Sequence, residues 1–395
     1  MKTAFIFSGQ GAQKAGMGKE LYDNFECVKK VFDEADEALG LKISDICFNE
    51  DERLNETEYT QPAILTMSVA VLKLMEEKGL KADYVAGLSL GEYSAHVASG
   101  TFDFADAVQL VRKRGRFMTE AVPVGEGGMC AVLNLDADKI QEACDEVKSI
   151  GRCMIANYNC PGQIAIAGEK AAVEKASEIV MEKGARKAVM LNVSGPFHTS
   201  LLAPASEKLN AELQHMTIKD MNIPVITNLT ADVVPSKDEV IDILTKQVMN
   251  PVKWEQSVRK MIELGVDTFV EMGPGKTLSS FVKKISKDVA VYNVEDLKSL
   301  EKDLWRFRIV KGIRPVIVTG GAKGIGKAIA LAFANEGCNI VLNYRSTSPE
   351  EVKAEIEAKG VKCFTVQADV SKFDEALKLV EAAKEEFGTI VCTCK

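Results

Sequence analysis

The sequence predicts an α/β protein built largely on parallel sheets, and three observations carry that expectation. Apolar strands alternate with amphipathic helices over most of the 395 residues. Between residues 129 and 193 the rhythm changes to the order βαββαβ, that of a ferredoxin-like unit. From Arg314 a clean βαβ pattern restarts around a glycine turn.

The elements follow in order. "TAFIFSG" reads as a buried strand ending in the loop Gly9-Gln10-Gly11. Residues 18 to 39 predict one amphipathic helix, because Leu21, Phe25, Val28, Phe32, Ala35 and Leu39 recur at helical spacing. "TQPAILTMSVAVLKLMEEKG" predicts a more buried helix, with Pro62 in its first turn and Gly79 closing it. "ADYVAGLSLGEYSAHVASG" is strand, sharp turn, helix.

"MCAVLNL" then predicts a strand and "DADKIQEACDEVKS" a helix. Two strands, "CMIANYN" and "QIAIAG", flank the turn Pro161-Gly162, before the helix "KAAVEKASEIVMEKG" and the strand "RKAVMLNV". The parallel pattern resumes through "IPVITNLT" and "VDTFVEMGPGKTL". A small subdomain set into a larger α/β body leaves a cleft between the two, a common place for a substrate.

Composition narrows the function classes. Apolar content of 46% with 27% charged residues describes an ordinary globular protein. A net charge of −8 argues against nucleic acid as a partner, since phosphate binding needs a basic surface. The ten cysteines are scattered, Cys392 and Cys394 being the closest pair, which reads as reduced thiols rather than a disulfide framework. The N-terminal apolar run is too short for a signal peptide, and no window nears the roughly 18 apolar residues of a spanning helix. A cytoplasmic protein without a membrane partner is expected.

"GLSLG", Gly87 to Gly91, fits G-x-S-x-G between a strand and a helix. A nucleophile at such an elbow sits in a strained backbone, so its neighbours two residues away must be small. The helix beginning near Gly91 aims backbone N–H groups at a developing oxyanion. Serine needs a base, and there are three histidines. His96 sits two turns along the elbow helix and reads as a partly buried or surface position. His215, at a polar helix end, reads as solvated. His198, after a strand end and a Gly-Pro turn, is the candidate base by elimination and context.

On these residues, and on "FSGQGAQ", "TQPAILT", "GLSLGEYSA", "FADAVQLVRKRGRFM", "NYNCPGQIAIAG", "GPFH", "NPVKW" and "EMGPGKTL" in order, the first 304 residues resemble the malonyl-CoA:acyl carrier protein transacylase family. The resemblance implies an α/β-hydrolase-like core with a ferredoxin-like insert at about 127–194. It makes Ser89 the acyl-accepting nucleophile and His198 the general base and acid. The backbone N–H groups of Gln10 and Leu90 would form the oxyanion hole. Arg114 would pair with the malonyl carboxylate, a task that suits a planar guanidinium better than a lysine. Gln61 would help hold Arg114 and line the pocket, and the segment around Gln247 and Asn250, expected with them at the substrate, would place a backbone carbonyl on the far nitrogen of His198. Phe197 is the bulky residue that in this family goes with malonyl rather than branched substrates.

Malonyl-CoA and acyl carrier protein are the implied partners, with no cofactor and no metal required. That carrier is expected to be acidic, and Lys183, Arg186 and Lys187 are the candidates for meeting it. The chain departs from the family's usual G-H-S-L-G at Leu88. A serine esterase or thioesterase is the alternative; it needs no Arg114 and usually has an acidic triad member.

Residues 305–313 read as a charged junction, and 314–395 resemble the N-terminal part of a 3-oxoacyl-[acyl carrier protein] reductase of the short-chain dehydrogenase/reductase superfamily. "TGGAKGIG" matches T-G-x-x-x-G-x-G, with Gly320, Gly324 and Gly326 letting backbone approach a pyrophosphate. "VLNYRS" carries no acid for a ribose, so Lys323 and Arg345 imply NADPH, and Asp369 would meet the adenine. About three βα units are expected, with an unpaired sheet edge. The family's N-N-A-G motif and Y-x-x-x-K pair do not follow. Weak NADP binding is therefore expected rather than reduction, a bifunctional protein with NADPH-dependent reductase activity being the alternative. The expectation for this segment is two neighbouring reading frames joined at about 305 to 314.

Overall fold

The computed structural model describes residues 2–123, 125–191, 195–302, 315–335, 337–387 and 392–394. The expected junction at 305–313, and residues 192–194 at the end of the expected insert, lie outside the described residues. The chain divides into two compact units, residues 1–300 and 301–395.

In the first unit the strands run, in chain order, β1 (Lys2–Phe7), β2 (Tyr84–Gly87), β3 (Gly127–Leu133), β4 (Cys153–Cys160), β5 (Gln163–Glu169), β6 (Lys187–Met190), β7 (Val225–Ile226), β8 (Val266–Met272) and β9 (Ala290–Val294). Five of them form a parallel sheet in the order β7-β2-β1-β8-β9. Strand β1 is central and buried along nearly its whole length, which is why it reads as an unbroken apolar run. Phe7 stands in register with Gly87 on one side and Met272 on the other. The loops after β1, β2 and β8 therefore leave the same sheet edge, and that edge carries the site.

The other four strands form an antiparallel sheet, β4-β5-β3-β6, from a segment of order βαββαβ. Its helices, Ala137–Glu146 and Lys170–Glu182, bury Ile140, Ala143, Val173, Ala176 and Val180 against one face of the sheet. Strand β4 is tied back to the parallel unit, since Val252 N–H donates to Ala156 O and Tyr158 N–H to Val252 O. That link sets Asn157 and Asn159 beside the segment that carries Gln247.

Two helical expectations are corrected. The single helix expected over 18–39 is two, Lys19–Asn24 and Glu26–Leu39, with Phe25 extended at φ −134°. The Asn24 side chain donates to Glu20 O, a local bond that competes with helix continuation. The helix containing Pro62 begins at Thr57, so the proline falls in its second turn rather than its first. This helix crosses Phe104–Ala121 closely: a Cβ on Gly115 would lie 2.4 Å from Thr57 O. The glycine thus brings Arg114, its neighbour, up to Gln61.

The second unit is a four-stranded parallel sheet of order β12-β11-β10-β13, with β10 at Val316–Val318, β11 at Ile340–Tyr344, β12 at Cys363–Gln367 and β13 at Cys392–Cys394. Val316 and Val318 pack under the helices Gly324–Asn335 and Glu350–Glu357, whereas Ile317 packs on Phe373–Phe387 on the opposite face. Strands β10, β11 and β12 are each followed by a helix, as three βα units require, while the open edge expected beside them is corrected: β13 pairs with β10 and covers it. Three residues suffice because β10 itself is only three residues long.

Candidate active site

Ser89 stands where β2 turns into the helix Gly91–Ala98, with φ +54°, a left-handed conformation that an L-residue keeps only when its surroundings enforce it. The enforcement is visible. A Cβ on Gly87 would lie 1.9 Å from Gly91 C, and one on Gly91 would lie 2.1 Å from Phe7 O. Both backbone groups of the serine are also held by side chains: its N–H donates to Asn228 Oδ1 at 2.6 Å, and its carbonyl accepts from Gln247 Nε2 at 2.9 Å. Asn228 Nδ2 in turn donates to Gly87 O at 2.7 Å.

His198, also at positive φ (+61°) and buried, approaches from the loop after the Gly-Pro turn. Its Nδ1 lies 3.0 Å from the Gln247 main-chain carbonyl, and its Nε2 2.7 Å from Ser89 Oγ. A carbonyl can only accept, so Nδ1 carries the proton and Nε2 is left to accept from the serine hydroxyl. Burial, with the Arg114 charge as a second cause, pulls His198 down to about 4, against the pull of the Gln247 and Asn250 carbonyls. The imidazole is thus neutral, as a base must be.

Arg114 is fully buried, and among the described residues it has no carboxylate within ion-pair distance. Its Nη1 donates to Gln61 Oε1 at 2.8 Å, and Nη2 to Gln247 Oε1 at 3.1 Å and Ser89 Oγ at 3.3 Å. The guanidinium lies 5.2 Å from the centre of the Tyr93 ring, a cation–π contact. Burial pushes the Tyr93 hydroxyl up to about 12 and lowers Arg114 from its ordinary value.

These groups border one cavity of about 280 Å³, lined among others by Met118, Asn157, Asn159, Leu278 and Phe281. Gln10, Leu90, Arg114 and Phe197 line it together with Ser89 and His198. Among the described residues, neither the Gln10 nor the Leu90 amide has an acceptor. The expectation that Gln61, Gln247 and Asn250 meet the substrate is corrected: none of them lines the cavity, because the two glutamines are spent on Arg114 from behind and the Asn250 side chain turns back to Lys246 O. Leu88 lines the cavity while its N–H donates to Phe7 O.

Some functional neighbours escaped the sequence reading. Glu92, buried on the elbow helix, accepts from Asn228 N–H at 3.0 Å and Gln247 Nε2 at 2.9 Å. Burial raises its carboxyl above the ordinary range against those bonds and the Arg114 charge. No local pattern separates Glu92 from the first-turn acids that favour any helix N-terminus. His96, read as partly buried or surface, is fully buried against Phe102 with neither ring nitrogen partnered among the described residues, and burial pulls it down to about 3. His215 is exposed. Lys183 is committed to Glu142 and Glu146, while Arg186 and Lys187 are exposed.

In the second unit Gly320 (φ +62°) and Gly324 (φ +57°) turn in the left-handed region with open space where a Cβ would stand. A Cβ on Gly326 would lie 2.4 Å from Gly320 O. Lys323 and Arg345 are exposed, and Arg345 Nη1 is 3.9 Å from Asp369 Oδ2. Ile325 is 81% exposed beside the turn. Among the described residues no helix is long and apolar enough to cross a membrane.

Residues 4–313 match the acyl transferase domain family and residues 314–392 the short chain dehydrogenase family. The chain is 49% identical over 302 residues to the malonyl CoA-acyl carrier protein transacylase of Bacillus subtilis, covering 76% of this chain and 95% of that one. The crystal structure of the corresponding Clostridium perfringens protein superposes with a TM-score of 0.77 at 50% identity, over 79% of this chain and 98% of that one. A malonyl-transacylase solved in complex with a type II PKS acyl-carrier protein matches at a TM-score of 0.75 and 38% identity, over 77% of this chain and 99% of that one. With its serine elbow, histidine and buried arginine carried on this fold, the chain belongs to the acyl transferase family of malonyl CoA-acyl carrier protein transacylases, followed by a short chain dehydrogenase segment.

Proposed function

We propose that the protein moves a malonyl group from malonyl-CoA to the phosphopantetheine thiol of acyl carrier protein, in the cytoplasm and for fatty acid synthesis. One observation carries the reading: a buried guanidinium with no carboxylate partner among the described residues borders the same cavity as a Ser–His pair. Ser89 Oγ attacks the thioester carbonyl as His198 Nε2 takes its proton. The Gln10 and Leu90 amides stabilise the oxyanion. The tetrahedral adduct collapses, the C–S bond breaks, and coenzyme A leaves as a thiol with the proton from His198. The carrier thiol then attacks the malonyl-serine ester by the same steps in reverse, restoring Ser89. Arg114 pairs with the malonyl carboxylate throughout, with Gln61 and Gln247 fixing its plane, and Phe197 bounds the acyl end.

The protein groups suffice for this chemistry without a cofactor. The carbonyl, rather than carboxylate, on His198 Nδ1 fits the transacylase dyad better than an esterase triad. The strand order β4-β5-β3-β6 supports a ferredoxin-like insert in an α/β-hydrolase-like core. Arg186 and Lys187 remain available to an acidic carrier, whereas Lys183 is already paired.

In the second unit, the open Gly320 and Gly324 positions and the absence of a side chain at Gly326 fit a dinucleotide pyrophosphate, with Lys323 and Arg345 toward a 2′-phosphate and Asp369 toward the adenine. Bound NADPH would supply hydride chemistry, and this glycine turn with Lys323 and Arg345 would hold its phosphates. The transfer reading is tested with purified protein, malonyl-CoA and holo carrier protein: malonyl appears on the carrier, whereas hydrolysis without transfer contradicts the proposal.

A further inference from the structure

Glu92 is fully buried and does not line the cavity, yet its carboxylate meets both residues that hold the nucleophile. Asn228 accepts from the Ser89 N–H, and Gln247 donates to the Ser89 carbonyl. Gln247 also serves the other two groups, Arg114 through its side-chain oxygen and His198 through its main-chain oxygen. A side-chain amide can present its oxygen or its nitrogen to a given neighbour. Two acceptors, Ser89 O and Glu92 Oε2, stand on one side of Gln247, which sets the nitrogen there and leaves the oxygen for Arg114. Glu92 Oε2 also accepts from the Asn228 main-chain N–H at 3.0 Å, so one oxygen spans both clamps. A helix-dipole role would need neither full burial nor these two bonds, and burying a carboxylate is costly.

We propose that Glu92 is a positioning residue for acyl transfer: acting through Gln247 and Asn228, it keeps nucleophile, base and carboxylate-binding arginine in one register. The inference rests on the malonyl-transfer reading. What the network needs from Glu92 is an acceptor at that place, which a glutamine can supply and a leucine cannot.

The test uses the full chain and two readouts, single-turnover malonylation by malonyl-CoA and labelling of Ser89 by a fluorophosphonate, which has no carboxylate. Glu92→Leu is expected to slow both, by about 10- to 100-fold for malonylation, the range for losing the partner of a buried polar group. Labelling falls less, because it does not use Arg114. The KM for malonyl-CoA changes less than kcat, and Glu92→Gln restores most of the rate. Because Glu92 acts through Gln247, Glu92→Leu combined with Gln247→Ala loses much less than the product of the two single losses. Unchanged rates in Glu92→Leu, or fully multiplicative losses, overturn the inference. If Glu92→Leu does not fold, Glu92→Gln and Glu92→Asp decide: the shorter acid must be at least about tenfold slower than the amide, and equal rates overturn it. Wild-type protein that takes no malonyl group contradicts the underlying reading instead, whereas a wild-type adduct with unimpaired variants removes only the role of Glu92.

Discussion

His198 Nε2 stands 2.7 Å from Ser89 Oγ while its other nitrogen is held by the Gln247 carbonyl. The base is therefore oriented by the backbone of the same residue whose side chain clamps the nucleophile and the arginine. Four parts of the site share Gln247, and their responses to substitution should be coupled.

Because burial and the Arg114 charge depress His198 to about 4, the base stays neutral well below the ordinary histidine range. The acid limb of kcat/KM for malonyl-CoA is expected near pH 4 rather than near 6.5. Arg114→Met removes the second cause but not the burial, so the limb moves up yet stays below 6.5. The same variant loses about 10²- to 10³-fold in kcat/KM for malonyl-CoA, as expected when one partner of a buried charge pair is truncated. Acetyl-CoA, which has no carboxylate, loses far less. A pH–rate series on the two proteins with both substrates checks each point.

Burial pulls His96 down to about 3 and His198 to about 4, whereas both take up protons near 6.5 in the unfolded chain. As pH falls below 6.5 the unfolded state binds protons that the folded state refuses, so stability is lost on acidification. His96→Leu, of similar volume and unable to titrate, should raise the melting temperature at pH 5 relative to wild type and change it less at pH 8. Thermal melts at the two pH values measure this.

Gly91→Ala would drive a Cβ to 2.1 Å from the Phe7 carbonyl. The elbow must shift, and a loss of order 3 kcal/mol in stability is expected. Gly16→Ala is the control: it has φ +83° with open space around the new atom, so only backbone strain of about 1 kcal/mol remains. Denaturant melts that rank the two equally would contradict the packing argument.

The glycine turn of the second unit is expected to bind NADPH more tightly than NADH. Arg345→Glu should erase that preference by placing an acid where the 2′-phosphate would lie. Gly326→Val should abolish binding of both, since its side chain would meet the Gly320 carbonyl. Nucleotide fluorescence titrations read these outcomes.

The sequence made the elbow legible because Gly87, Ser89 and Gly91 lie within five residues and each is demanded by local geometry. His198 could be reached only by eliminating two other histidines, and Arg114 only by family resemblance, since its neighbours Arg112 and Arg116 carry the same charge on the same helix. The structure separates them by burial: Arg112 pairs with Glu58 and Arg116 with Glu120 toward solvent, while Arg114 turns inward. Glu92 and Asn228 were not legible, being 136 residues apart and joined by tertiary bonds that no periodicity records. The break at Phe25 escaped for a related reason, because the apolar spacing continues through the residue at which the backbone turns extended.

Ser89 is expected to carry the malonyl group between its two thiol partners. Intact-mass measurement after mixing the protein with malonyl-CoA, with peptide mapping of the adduct, checks this. One malonyl group on the peptide containing Ser89, removed by holo acyl carrier protein and absent from Ser89→Ala, is the predicted result. An adduct that persists in Ser89→Ala, or no adduct in the wild-type protein, would contradict it.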